Sequence, residues 1–385
     1  MQLLVLTAVH VIVDMYGGIL PAILPVIRDS FVLSLTAAIA ILTVLNLAAN
    51  AFQVFIGHLR PYRHTPLFLP LGLIFVAAIC FFAAVKDLPG AYYIALILAL
   101  AGGFGIAVVH PESLRAAYSL DRIPPSIIAG VFLTGGFAGF AGGGWLGAVA
   151  VNHFGLKGLY IFLIPPLVGL AAIYLVRIRL AVEPKTKSQS VEIRIPFWDV
   201  YLMALPLTLS STLMVSLLPT YLYEKGFELV FGGFSTMIFG FGGAIGSFIF
   251  GIVAHKKGEM RTAIVILLAG TFLVEGYWLL AGYRSAVWLL FLAGSCVVSA
   301  YPLIVTIARH AHGLNLGQRM AIIVGGTWGV ASAVLMLIGY IADYFGIQSI
   351  LRFIFAGYLF SAVIGVYILK KFARKTFLAR KNDAG

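Results

Sequence analysis

Apolar residues run through this chain in stretches of about 20, separated by short polar breaks, almost from the first residue to the last. A helix rises about 1.5 Å per residue, so each stretch is long enough to cross the hydrocarbon core of a bilayer. Twelve spans are predicted, at about 2–27, 37–59, 66–85, 91–118, 126–150, 157–180, 199–223, 231–254, 261–281, 285–308, 319–341 and 347–370. The short alternating segments of a transmembrane barrel are missing from the pattern. The prediction is an all-α polytopic membrane protein with 12 transmembrane helices. The third span is apolar all round and reads as lipid-facing. The most polar stretch, Glu183 to Arg194, falls near the middle of the chain. It divides the sequence into an N-terminal six-helix bundle (1–180), a cytoplasmic linker (181–198), a C-terminal six-helix bundle (199–370) and a basic cytoplasmic tail (371–385) expected at the membrane surface.

Composition agrees with the pattern. Hydrophobic residues make up 61% of the chain, charged ones 10%, and the mean hydropathy is +1.04. Soluble domains carry about 25% charged residues. The net charge of +12 would suggest nucleic acid if its positions did not say otherwise. With a cytoplasmic N-terminus, about 20 of the 26 Lys and Arg fall on the cytoplasmic side, including Arg60, Arg63, Lys185, Lys187, Lys256, Lys257, Arg309 and the tail from Lys370. The other side keeps about six, among them Arg28, Lys86, Lys157 and Lys225. That asymmetry orients the chain in an inner (plasma) membrane with both termini cytoplasmic. The basic excess is expected to meet anionic lipid, not nucleic acid. Cys80 and Cys296 lie in separate spans, which argues against a disulfide framework or a thiolate metal site. The first span begins almost at Met1 and contains His10 and Asp14, unlike a cleaved signal sequence.

Ionisable groups inside spans are costly and by default functional. His10 and Asp14 are one turn apart on one helix face, with Asp14 near the midplane and Pro21 and Pro25 bending the outer half. Asn46, Asn50 and Gln53 form one polar stripe, either interhelical glue or cavity lining. The fourth span holds His110-Pro111-Glu112-Ser113-Leu114-Arg115. His110 shares a face with Gly103, Ala107 and Ser113, while Glu112 points about 200° away at about 100° per residue. Glu112 and Arg115 are three apart and can pair, as a structural ion pair or as one remade when the halves rock. His10 and His110 each lie about eight residues from the cytoplasmic end of oppositely directed helices, hence at similar depth. With Asp14 they make a proton-relay candidate, since histidine titrates near neutrality. A third or fourth metal ligand with supporting spacing is missing, so neither a metal nor any cofactor beyond the proton is expected. Gly135, Gly139, Gly143 and Gly147 repeat every fourth position and bare one helix face, the predicted surface on which the two halves slide. Glu275 stands alone near Tyr277 and Trp278, open to a structural or a functional reading; Tyr301-Pro302, Trp328 and Ser210-Ser211 add polar contacts. An enzyme would need a nucleophile and base at workable spacing, and a channel a ring of carbonyls or charges; the sequence offers neither set.

The halves repeat weakly. Leu24-Pro25 corresponds to Leu218-Pro219, Gly57-His58-Leu59-Arg60 to Gly251-Ile252-Val253-Ala254, His110-Pro111 to Tyr301-Pro302, and Phe154-Gly155 to Phe345-Gly346, at offsets of about 191 to 194 residues. Two six-helix halves repeated in parallel are the arrangement of major facilitator transporters, with the binding site between them near the midplane.

The residues that carry a closer likeness are His110-Pro111-Glu112-Ser113 with Arg115, the helix ending Gly142-Gly143-Gly144, and Gly17-Gly18-Ile19-Leu20-Pro21-Ala22-Ile23-Leu24-Pro25. On these the chain resembles the major facilitator superfamily, and within it the fosmidomycin resistance protein group of drug exporters. The resemblance implies a monomeric secondary transporter that exports a small polar or anionic compound in exchange for protons. Import of a nutrient such as an organic acid or sugar would use the same groups equally well. Two departures matter. The superfamily's loop motif expects an aspartate where this chain has Gly57-His58-Leu59-Arg60-Pro61, and its second copy has His255 in the acid's place, so the inward-gate relay is altered. The arginine common early in the fourth helix of drug antiporters is replaced by Ile97-Leu98-Ala99-Leu100. Proton coupling is left to Asp14, His10, His110 and Glu112. Arg115 either holds Glu112 ionised or meets an anionic substrate group.

Overall fold

A computed structural model describes residues 1–59, 64–118, 120, 125–180, 195–314 and 316–382. Arg60, Arg63, Lys185, Lys187 and most of the predicted 181–198 linker lie outside that set, as does the end of the first loop motif. In hydrocarbon every backbone N–H and C=O must be satisfied within the chain, which the α-helix does residue by residue. The helices are α1 (Gln2–Ser30), α2 (Leu35–Leu59), α3 (Phe68–Val76), α4 (Phe82–Val85), α5 (Ala91–Tyr118), α6 (Pro125–Phe154), α7 (Ile164–Val176) and α8 (Phe197–Glu224). They continue as α9 (Leu229–Lys257), α10 (Glu259–Leu280), α11 (Val287–His310), α12 (Leu316–Ala321), α13 (Thr327–Phe345), α14 (Ile347–Leu351) and α15 (Ile354–Asn382).

Eleven helical runs among the described residues are long and apolar enough to cross a membrane. One of them, Thr134–Val176, is 43 residues long and holds two crossings, α6 and α7, which reverse at Gly155 with φ +58. The twelve predicted spans are thus accounted for. Lys371 at the end of the last span bonds Asp199 at the start of α8 at 2.9 Å. Arg28 and Glu224 pair where α1 and α8 end together. Both chain termini therefore lie at one end of the bundle; the other is called here the far end.

Lipid gives no hydrophobic reason for two helices to meet, so close packing of small residues decides. A methyl built on Gly139 would strike the Val11 carbonyl, and one on Gly143 the Met15 carbonyl. Gly135 lies over Thr7 and Gly147 over Ile19. The ladder is thus the seat of α1, parallel and in register over about three turns. It does not form the sliding surface between halves that the sequence suggested. The face of α6 that meets the other half is the neighbouring one, where Gly144, Trp145 and Ala148 meet Gly233 of α9, and Ala141 meets Gly240.

Three further expectations change. The third span is broken into α3, a 3₁₀ turn at Ala77–Phe81 and α4. It is not simply lipid-facing: Leu69, Leu73, Val76, Ile79 and Cys80 are fully buried, and Gly72 and Gly105 bring its backbone against α5. Uniform apolarity marks no face, so the neighbour's glycine decides which side is covered. The eleventh span is interrupted by a π-helical stretch at Ile322–Gly326. The twelfth helix runs on through the predicted tail to Asn382.

Candidate functional site

Three helices converge on Asp14. Its Oδ1 lies 2.8 Å from His110 Nε2 on α5, and its Oδ2 lies 3.1 Å from His10 Nε2 one turn back on α1. The two imidazoles meet edge to face with centroids 5.0 Å apart. From α6, Phe132 stacks on the His10 ring at 4.0 Å and offers its backbone carbonyl to His10 Nδ1 at 2.9 Å. The side chains of His10, Asp14 and His110 keep 7%, 19% and 22% of their surface, so the group borders space without lying open. Gly136 makes the arrangement possible: a methyl there would sit 2.5 Å from His10 Cε1 and 2.6 Å from Asp14 Oδ2.

The geometry bears on how protons can be placed in the cluster. A carbonyl only accepts, so His10 donates its Nδ1–H to Phe132. A neutral His10 would then turn the lone pair of Nε2 towards a carboxylate oxygen, which repels it. The 3.1 Å contact is a hydrogen bond only if one proton lies between His10 and Asp14. His110 in its neutral form can donate Nε2–H to the other oxygen. A cluster bonded in this way would hold one proton more than the bare carboxylate with two neutral rings. The three ligand-type atoms lie within 4.8 Å of one another, so Asp14 supplies the third group that sequence spacing did not reveal. That set could take a metal ion as well as a proton.

The remaining sequence candidates lie elsewhere. Glu112 is 3% exposed and accepts from Leu69 N at 3.0 Å, in the first turn of α3, where unpaired N–H groups favour a carboxylate. Arg115 approaches its other oxygen at 3.9 Å. This pair ties α5 to α3 and stands apart from the histidines. Asn50 donates to the Asn46 carbonyl at 2.8 Å, within α2, and faces Gly329 of α13. Gln53 and Glu275 are half-buried. Tyr301 donates its hydroxyl to the Ile323 carbonyl at 3.0 Å inside the π-helical stretch, and its ring meets Trp328 edge to face at 5.4 Å. Ser210 bonds the Ile354 carbonyl at 2.8 Å, and Ser211 lies 3.3 Å from the Tyr358 hydroxyl; both are packing contacts.

Phe132 and Gly136 escaped sequence reasoning, although they left a signal. Phe132, Gly136, Phe140 and Gly144 repeat every fourth position one residue away from the ladder, and the stronger stripe hid the weaker.

Comparison with known proteins follows the same lines. The family model described as Major Facilitator Superfamily matches residues 6–313. The chain is 23% identical over 364 residues to the fosmidomycin resistance protein of Escherichia coli (strain K12), covering 89% of this chain and 86% of that protein. Among solved structures, a bacterial homologue of the human lysosomal transporter Spinster, in an inward-facing and occupied conformation, superposes with a TM-score of 0.69. That likeness covers 98% of this chain and 97% of the other at 16% identity. A POT family transporter in complex with a thioalcohol-conjugated peptide gives a TM-score of 0.72 at 14% identity, over 97% and 96%.

Proposed function

The chain belongs to the major facilitator superfamily, and we propose that within it this protein is a proton-coupled exporter of a small polar or anionic compound. As a member it is a multi-pass membrane transporter and not an enzyme. The proposal takes the six-helix bundles 1–180 and 199–370 as the halves that rock, with both termini in the cytoplasm and the proton as the only coupling species.

The observation that carries it is the contact of Asp14 with His10 at 3.1 Å and with His110 at 2.8 Å, an arrangement that a proton between His10 and Asp14 would hold together. Without that proton the contact repels, and His10 must give up either Asp14 or the Phe132 carbonyl. Loss of one proton thus loosens the hold of α1 on α6, and α6 is the helix that lies along α9 of the other half. A change of one charge in a low-dielectric site is large enough to shift a balance between two states of similar energy. Exchange follows if the substrate's own donors occupy the Asp14 carboxylate, because substrate and proton then compete for one acceptor. The export direction draws its support from the fosmidomycin resistance protein.

The test uses purified protein in vesicles with an imposed pH gradient and fosmidomycin as the first probe. Gradient-driven flux is expected in wild type and lost in Asp14→Asn, while substrate exchange without a gradient persists in the variant. Flux indifferent to the gradient in wild type would overturn proton coupling, and uptake with the proton would reverse the direction.

A further inference from the structure

The start of α2 is capped twice. The first N–H groups of any helix lack partners within it. Ser34 supplies one from its own segment, accepting from Ala37 N at 3.1 Å. The next cap comes from the other half of the chain: Asp343, 307 positions from Thr36, lies in the last turn of α13. Its Oδ1 accepts from Leu35 N and its Oδ2 from Thr36 N, each at 3.0 Å, and the Thr36 hydroxyl also donates to Oδ2. The helix dipole favours a negative charge at this place.

These bonds sit at the far end, where α2 and α13 run antiparallel in contact. Gly339 admits Ile39 deeper in, and Gly329 faces Asn50 near the middle. Arg28 and Glu224 join α1 to α8 at the same end at 2.8 Å, with both side chains about a third exposed or more. At the end bearing the termini, the polar contacts named here each lie within one half. His64 lies 3.2 Å from the Leu180 carbonyl, Phe197 N donates to His312 O at 3.0 Å, and Lys371 holds Asp199. The far end is closed by contacts between halves that a transporter must break to open it.

We propose that Asp343 is a gating residue of the transport cycle, whose carboxylate on the start of α2 latches the outer gate shut. The proposal rests on alternating-access transport by this chain and not on proton coupling. Opening the outer gate withdraws Asp343 from three donors at once. Ser34 travels with α2 and keeps its own bond, and the released N–H groups meet water at an exposed surface. The latch is therefore firm enough to bias the closed state and light enough to release. Its strength should be that of a helix cap, so its loss should shift the ratio of open to closed by roughly five- to tenfold.

The experiment measures the far-end opening directly. Spin labels on Asp29→Cys and Gln348→Cys, exposed positions on the two halves, report their separation in a background lacking Cys80 and Cys296. Asp343→Ala is expected to raise the ratio of long to short distances roughly five- to tenfold. Asp343→Asn, which keeps an acceptor oxygen without the charge, should fall between, and Thr36→Val should produce a smaller shift. Thermal unfolding of each variant separates gate opening from loss of fold; if Asp343→Ala does not fold, Asp343→Asn decides alone. Distance distributions that match wild type in folded Asp343 variants would overturn the latch. Loss of gradient-driven flux in Asp14→Asn with normal distances would leave it standing.

Discussion

Gly136 shows how one missing methyl can set the chemistry of a site. Its hydrogen leaves room for His10 to reach the Phe132 carbonyl and for Asp14 to meet His10. Gly136→Ala should push the ring off that carbonyl and weaken gradient-driven flux by about an order of magnitude or more, the loss typical of a misplaced reacting group. Because α6 keeps its ladder, the variant should still unfold near the wild-type temperature. A fall in flux that tracks a fall in stability would mark Gly136 as mere packing. Glu112 belongs to the opposite class. Glu112→Gln removes a charge from the start of α3 and should lower stability by about 1 kcal/mol, as lost helix caps do. The dependence of flux on the pH gradient should not change; a changed dependence would return Glu112 to the proton path. Both histidines and Asp14 were visible in the sequence because burial of ionisable groups in apolar helices is rare. Gly136 was not, since a glycine beside a glycine ladder has nothing to set it apart until the facing side chain is known.

Among the elements, α6 serves two neighbours with two faces. The ladder face holds α1 through backbone approach, and the adjacent face meets α9. Gly139→Ala would place a methyl against the backbone of Val11, with no flexible side chain to yield, and should cost about 1–3 kcal/mol as overpacking does. Gly142→Ala meets nothing within 4 Å and should be neutral. Thermal unfolding in detergent of the two variants side by side checks the assignment; equal melting would refute it. The periodicity of four was legible in the sequence, but its partner was not. Spacing names a bare face without naming the helix that covers it. The same limit explains α3, where uniform apolarity concealed both the break at Ala77–Phe81 and the burial against α5.

At the scale of the whole molecule, the crossings were legible from apolar run length. The depth argument linking His10 to His110 also held, because equal distance from one membrane face is a property that run length preserves. Which end of the bundle is closed was not legible. That depends on pairs such as Asp343 with Leu35 and Thr36, which join helices from opposite ends of the chain through two backbone N–H groups that no side-chain pattern announces.

The π-helical stretch before α13 has one more consequence. The offset that relates His110 to Tyr301 also relates Phe132 to Ile323 and Gly136 to Thr327. In the first half the carbonyl receives an imidazole whose partner proton can leave. In the second, the matching carbonyl of Ile323 receives the Tyr301 hydroxyl at 3.0 Å and the Thr327 hydroxyl at 2.6 Å, the latter occupying the gap that Gly136 leaves open. The twin positions are wired differently, one to a removable donor and one to two permanent donors. On this reading the protein is an uneven lever, with a switchable arm in its first half and a fulcrum in its second. Tyr301→Phe should then loosen the fulcrum and slow every mode of transport alike, while the number of protons moved per substrate stays as in wild type; a changed proton count would give the second half a share in the switch.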